Sequence, residues 1–148
     1  METIGDIMTY PVTTVRMDLS VKTIQKIFDE SGFHHLVVTV GKKPVGVINV
    51  RDLLRNLSPF IGNALMERPQ DLNTLRKRAH QIMHRDLVTV QEYVSLMEAA
   101  DLLLSRRVTC LPVVDAKSNL RGIVTWRDLL PLCFNCNIPR NDAAEDAA

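Results

Sequence analysis

The sequence predicts an α/β (α+β) fold built from two copies of one β-α-β-β-α unit, and three observations predict it. The stretch "GVINVRDLL" at 46–54 returns as "GIVTWRDLL" at 122–130. The stretch "IMTYPVTTV" at 7–15 returns as "IMHRDLVTV" at 82–90. Between these landmarks, apolar residues recur at helical and then at strand spacing in both halves. The openings lie 75 residues apart and the two glycines, Gly46 and Gly122, lie 76 apart, so one residue is inserted between them. The expected place is the turn, where "VGKKPVG" faces "DAKSNLRG", because hairpin tips accept length changes most readily.

Taken in order, each copy opens on an extended stretch, "PVTTV" or "LVTV". An amphipathic helix follows, with Val21, Ile24, Ile27 and Phe28 on its apolar face in one copy and Leu96, Ala99, Leu102 and Leu103 in the other. Ser20 and Ser95 stand where N-caps belong. The runs "HLVVTV" and "CLPVVD" read as strands, as do "PVGVI" and "LRGIV" beyond the turn, and a short helix starts near Asn49 and Thr125. The boundaries are 1–56 for the first repeat, 57–79 for a helical linker, 80–134 for the second repeat and 135–148 for a disordered tail without apolar periodicity. A unit of about 55 residues buries too little surface to be comfortable alone, so the two copies are expected to pack together. The linker's basic run Arg76-Lys77-Arg78 reads as a solvated helix face.

Composition narrows the function. The 148 residues are 46% apolar and 24% charged, ordinary for a globular protein with a real core. Eighteen Lys and Arg nearly cancel seventeen Asp and Glu, so no global field draws the chain to nucleic acid or to an anionic membrane. The start carries Glu2 and no apolar core of signal-peptide length, and no stretch reaches membrane-span length. A cytoplasmic location is expected. Cys110, Cys133 and Cys136 suit reduced thiols better than a disulfide framework.

In both copies the chain passes from a strand through glycine into a helix whose first or cap position is Asn49 or Thr125. Unpaired N–H groups and a partial positive charge at such a start favour an anion such as phosphate. Asp52 and Asp128 follow three residues later on nearly the same face, where a carboxylate can accept both hydroxyls of a ribose. Phosphate donor beside ribose acceptor suggests a nucleotide. The same residues also serve as plain helix caps, with Asp52 and Asp128 completing capping boxes.

The repeat, its "IM" openings, "CLPVVD" and "GIVTWRD" together resemble a tandem pair of cystathionine β-synthase (CBS) domains, the Bateman module, from about Ile4 to Leu132. The resemblance implies pseudo-two-fold packing of two repeats, and two clefts between them that hold AMP, ADP, ATP or S-adenosyl methionine. It implies no catalysis, no catalytic residues and no required cofactor. One cleft would join Ile123, Thr125 and Asp128 to Thr9, Val12, Thr14, Phe33 and His34. The other would join Val47, Asn49 and Asp52 to His84, Val88, Val108 and Thr109. The first is the better candidate, because Asn49 departs from the family's usual Thr or Ser. Arg51 and Arg127 precede the aspartates and could pair with phosphate.

Two functions follow from the resemblance. One is a regulatory module that senses an adenosyl ligand and signals to an unidentified partner protein. The alternative is a ligand-independent dimerisation or scaffold module with vestigial clefts. Either forms a homodimer, through an apolar face of Leu53, Leu54, Leu129 and Leu130. Metal and redox chemistry have weaker support. His34 and His35 are adjacent on a predicted strand and point apart, His80 and His84 share a face only if the linker helix runs that far, and Cys133–Cys136 is a single CxxC without a second pair.

Overall fold

The computed structural model describes residues 2–133. In chain order the elements are α1 (Ile4–Ile7), β1 (Thr14–Arg16), α2 (Val21–Ser31), β2 (His35–Val40), β3 (Lys43–Asn49), α3 (Val50–Asn56), α4 (Pro69–Leu72), a 3-10 turn (Asn73–Arg76), α5 (Ala79–Ile82), α6 (Leu96–Ser105), β4 (Cys110–Val114), β5 (Leu120–Thr125) and α7 (Trp126–Cys133). The chain divides into two compact units. One is residues 12–87; the other joins the residues up to Pro11 to those from Val88 onward. Compact unit and sequence repeat are therefore not the same thing. The "IM" opening of each copy packs into the unit that holds the other copy's sheet.

In the 12–87 unit, β1 runs parallel to β2 and β2 antiparallel to β3. Helix α2 starts where predicted, with the Thr23 amide donating to Ser20 Oγ at 3.3 Å, and ends at Gly32 in the left-handed conformation at φ 69°. Val21, Ile24 and Phe28 bury its apolar face against Leu36, Val38 and Ile48. Into the same core come Ala79, Ile82 and Met83. They are tied down by the Ala79 amide, which donates to the Leu19 carbonyl at 2.8 Å, and by paired amide bonds between His84 and Val47.

The other unit repeats the plan. The β4–β5 hairpin carries α6 and α7, and Ile4 and Ile7 complete a core of Ala99, Leu103, Leu111, Val113, Val124 and Leu129. Ser95 caps α6 by accepting from the Glu98 amide at 3.2 Å. Both hairpins carry a register shift at the equivalent place, between Val38 and Thr39 and between Val113 and Val114. The inserted residue lies in the turn, as expected: the Thr39–Pro44 pair encloses four residues in one hairpin, and the equivalent Val114–Leu120 pair encloses five in the other. Asp115 organises the longer turn by accepting from the amides of Lys117 and Asn119, and the Asn119 bond foremost holds its carboxyl below the usual carboxylate range.

One expected strand is curtailed. The "LVTV" opening forms a single parallel bridge, Val90 to Val113, where the first copy forms β1. Val90 donates to the Pro112 carbonyl and accepts from the Val114 amide. Pro112 stands where the first copy has Val37, and proline has no N–H with which to extend the ladder. One further expectation needs correction. Leu53 and Leu129 are 3% and 4% exposed and belong to the cores of their own units, which leaves Leu54 and Leu130 as the exposed leucines of that pair of helices. Between residues 57 and 79 the chain makes turns from Pro59 to Met66, then α4 and the 3-10 turn, and reaches the start of α5. The segment 135–148, read as disordered, and Cys136 lie outside the described residues. No helix among the described residues is long and apolar enough to cross a membrane.

Candidate functional site

Two equivalent carboxylates stand at the starts of α3 and α7, each held by its own unit. At α3 the capping box is complete. The Asn49 amide donates to Asp52 Oδ2 at 2.9 Å, and the Asp52 amide donates to Asn49 Oδ1 at 2.8 Å. At α7 the Thr125 amide donates to Asp128 Oδ2 at 2.8 Å and the Thr125 hydroxyl to the same oxygen at 3.3 Å. The Arg127 amide donates to Thr125 Oγ1 at 3.2 Å. One oxygen of each carboxylate thus does helix-start work, as the capping reading expects. The other oxygen, Oδ1, faces the exchanged opening segment.

What meets that second oxygen differs between the copies. Thr9 pairs with Ile123 through two amide bonds, which carries its hydroxyl to Asp128 Oδ1 at 3.4 Å. His84 pairs with Val47 in the same way, and its Nε2 lies 2.5 Å from Asp52 Oδ1. Where the carboxylate is ionised it can only accept, and Nε2 is then the donor. Asp52 is 5% exposed, whereas Asp128 is half-buried. Electrostatically, a histidine closes one carboxylate and a long hydroxyl contact touches the other.

The pairing of opening and signature strand explains both glycines. A β-carbon on Gly46 would run into the Met83 side chain, and one on Gly122 would run into the side chain of Met8 and approach the Thr9 carbonyl to 3.1 Å. Close approach, not a special backbone angle, demands glycine there. Met8 and Met83 were not singled out as site-forming residues, although the repeated "IM" carried the signal.

The expected site residues divide between the units. With Asp128 the structure groups Thr9, Ile123 and Thr125, and with Asp52 it groups Val47, Asn49 and His84. Val12, Thr14, Phe33 and His34 belong to the Asp52 unit, and Val88, Val108 and Thr109 to the Asp128 unit. Among these, Thr14 lies on β1, His34 stands just before β2 with its carbonyl accepting from the Val50 amide, and Phe33 packs partly against the core. Val88 and Val108 pack on the core of their unit, and Thr109 is exposed just ahead of β4. Arg51 and Arg127 are exposed at the helix starts. His80 and His84 do not share a helix face, because α5 ends at Ile82; His80 Nδ1 lies 2.9 Å from the Met17 carbonyl. Trp126 packs partly against the core of its unit.

The repeated unit, with a carboxylate at the start of the second helix in each copy, is the plan of a known family of tandem repeats. The CBS domain family matches residues 4–59 and 79–134, so the chain belongs to the CBS domain family. It is 31% identical over 131 residues to a CBS domain-containing protein of Dictyostelium discoideum, covering 87% of this chain and 89% of that one. An uncharacterized protein of Methanocaldococcus jannaschii is 27% identical over 129 residues, and the chain spans 46% of its length. Among solved structures, CBSX2 in complex with AMP superposes with a TM-score of 0.73 at 29% identity, covering 91% of this chain and 98% of that one.

Proposed function

We propose that this CBS pair binds an adenosine-containing ligand, of the set AMP, ADP, ATP and S-adenosyl methionine, and passes its occupancy to a partner protein. Binding rather than turnover is the activity. The observation that carries the proposal is the division of labour at Asp128. Oδ2 holds the helix start, while Oδ1 meets the Thr9 hydroxyl at 3.4 Å, a long bond that a ribose hydroxyl can replace without unseating the helix. Thr125 and the α7 start stand beside it to receive phosphate, with Ile123 as an apolar neighbour. A structure of similar fold in complex with AMP supports the adenosyl class.

The Asp128 position is the stronger of the two. At Asp52, a ribose must displace His84 from a 2.5 Å contact before it can be accepted. We also assign a homodimer, with Leu54 and Leu130, 65% and 47% exposed, as the apolar surface a second copy would cover. Light scattering at micromolar concentration should report twice the 16.7 kDa chain mass.

A thermal-shift series with AMP, ADP, ATP, S-adenosyl methionine and NAD tests the ligand. A binder at about a hundred times its dissociation constant adds roughly 2.7 kcal/mol to stability. Stabilisation by one adenosyl compound that is lost in Asp128→Asn supports the proposal. A flat response to all five leaves the scaffold reading in its place.

A further inference from the structure

The linker's basic run does something its solvated-face reading does not require. Arg76 and Arg78 come together with Lys22, from the first turn of α2, around an open concavity of about 430 Å3 whose remaining walls are Ser20, Leu72 and Leu75. None of the three cations forms an ion pair among the described residues, whose pairs are Arg16–Asp18, Lys26–Glu30, Arg68–Asp71, His84–Asp52 and Arg121–Glu92. Arg78 is held in place: its Nη1 donates to the Asp18 carbonyl at 3.0 Å, and its backbone pairs with Ser20. The acids nearest in sequence are already engaged, Asp18 with Arg16 and Asp71 with Ser58 and Arg68. Three cationic side chains therefore line one hollow without an ion-pair partner among the described residues, an arrangement that suits an anion.

The fold does not demand those charges. The same bridge exists in the other unit, between Thr3 and Ser95, and the residue equivalent to Lys22 there is Met97. The helix start and its docking are thus made equally well without a cation.

We propose that this hollow is a second binding site, separate from Asp128, for a small organic phosphate. The dianionic group would sit among Lys22, Arg76 and Arg78, and the apolar body would lie on Leu72 and Leu75. Guanidinium groups match phosphate oxygens in bidentate fashion, and the leucine walls give an organic phosphate an advantage over the bare ion.

Phenyl phosphate is a suitable probe, with inorganic phosphate and benzyl alcohol as the polar and apolar controls. Titration of the full chain, followed by backbone amide shifts, should give saturable changes at Ser20, Lys22, Leu75 and Arg76. Phenyl phosphate should bind more tightly than either control and weaken as salt is raised. Lys22→Gln with Arg76→Gln should reduce that affinity by about ten-fold or more, since two charge-assisted contacts are lost. Arg78→Gln is the second variant, checked by thermal midpoint because it also removes the bond to the Asp18 carbonyl. Asp128→Asn should leave phenyl phosphate binding unchanged, which separates failure here from failure of the adenosyl reading. Shifts confined to Thr125 and Asp128, equal binding of inorganic phosphate, or unaltered affinity in the Lys22/Arg76 variant would overturn the proposal.

Discussion

The two carboxylate positions are built to one plan and closed by different residues. Asp52 and Asp128 occupy equivalent places, cap equivalent helices and face equivalent opening segments, yet one meets His84 at 2.5 Å and the other meets Thr9 at 3.4 Å. A single side chain at one register position gives a repeated scaffold two unlike carboxylate positions. Symmetry of the backbone does not carry symmetry of chemistry. The same lesson holds at the helix starts of α2 and α6, where Lys22 in one copy stands opposite Met97 in the other.

The largest expected effect is at Asp128. An ionised carboxylate accepts two hydroxyls, whereas Asn offers one acceptor oxygen and turns an NH2 towards the sugar. Charge-assisted hydrogen bonds are worth about 1.5–3 kcal/mol, so Asp128→Asn should lower adenosyl affinity by roughly ten-fold or more. Asp52→Asn should lower it less, because that carboxylate already spends its second oxygen on His84. Calorimetry on both variants measures the difference; equal losses would erase the distinction between the sites. A shifted denaturant midpoint with unchanged affinity in Asp128→Asn would mean that the residue is a cap and nothing more.

Next come the glycines. An added methyl group in a packed region typically costs about 1–3 kcal/mol. Gly122→Ala should cost more than Gly46→Ala. The β-carbon at Gly46 meets only flexible Met83 atoms in its closest contacts, whereas the one at Gly122 also meets the backbone carbonyl of Thr9. Moving Thr9 shifts the very hydroxyl that faces Asp128, so Gly122→Ala should weaken ligand binding as well. Urea midpoints and a ligand titration on the two variants test both statements, and the reverse order of midpoints would count against them.

Much of this was legible beforehand because it rests on local chemistry. Ser20 and Ser95 cap helices since Ser accepts an amide hydrogen bond there, and the apolar spacing of Val21, Ile24 and Phe28 does bury one helix face. The insertion in the turn followed from a one-residue change in spacing. Less legible was anything set by a partner far along the chain. The loss of a strand before Val90 depends on Pro112 across the sheet, and the burial of Leu53 and Leu129 depends on which side of a short helix meets a core. The histidine on Asp52 depends on the docking of residues 79–84 beside β3, an exchange that periodicity alone cannot express.

A gain of function sharpens the comparison further. His84→Thr gives the Asp52 position the residue that its counterpart has, and removes the contact that occupies Oδ1. The expected outcome is an adenosyl affinity at the Asp52 position raised by roughly ten-fold, the equivalent of about one charge-assisted bond no longer in competition. Stoichiometry by calorimetry should then approach two ligands per chain. Thr9→His should do the opposite at Asp128. No change in either variant would show that Asn49, rather than His84, limits the Asp52 position.

The smallest effect expected lies away from both carboxylates and concerns acid. Asp71 is buried, and its Oδ1 accepts the Ser58 hydroxyl at 2.8 Å while Oδ2 accepts the Arg68 amide at 2.8 Å. The Ser58 bond above all holds its carboxyl below the ordinary carboxylate range. A carboxylate whose folded pKa lies below its unfolded one stabilises the fold fully above the unfolded value, and that contribution fades as pH falls through the folded value. Ser58→Ala raises the folded pKa towards the unfolded one, so the variant should be slightly less stable than the parent at neutral pH. The gap should close in strong acid, where both chains carry a protonated Asp71. Because Ser58 and Asp71 belong to the linker, the variant should leave the Thr9–Asp128 and His84–Asp52 contacts, and hence the contrast in adenosyl affinity between them, untouched. Thermal midpoints from pH 7 to pH 2 give the first result and a ligand titration the second. A gap that widened as the pH fell would mean that the Ser58 hydroxyl favours the protonated carboxyl, the reverse of the assignment made here.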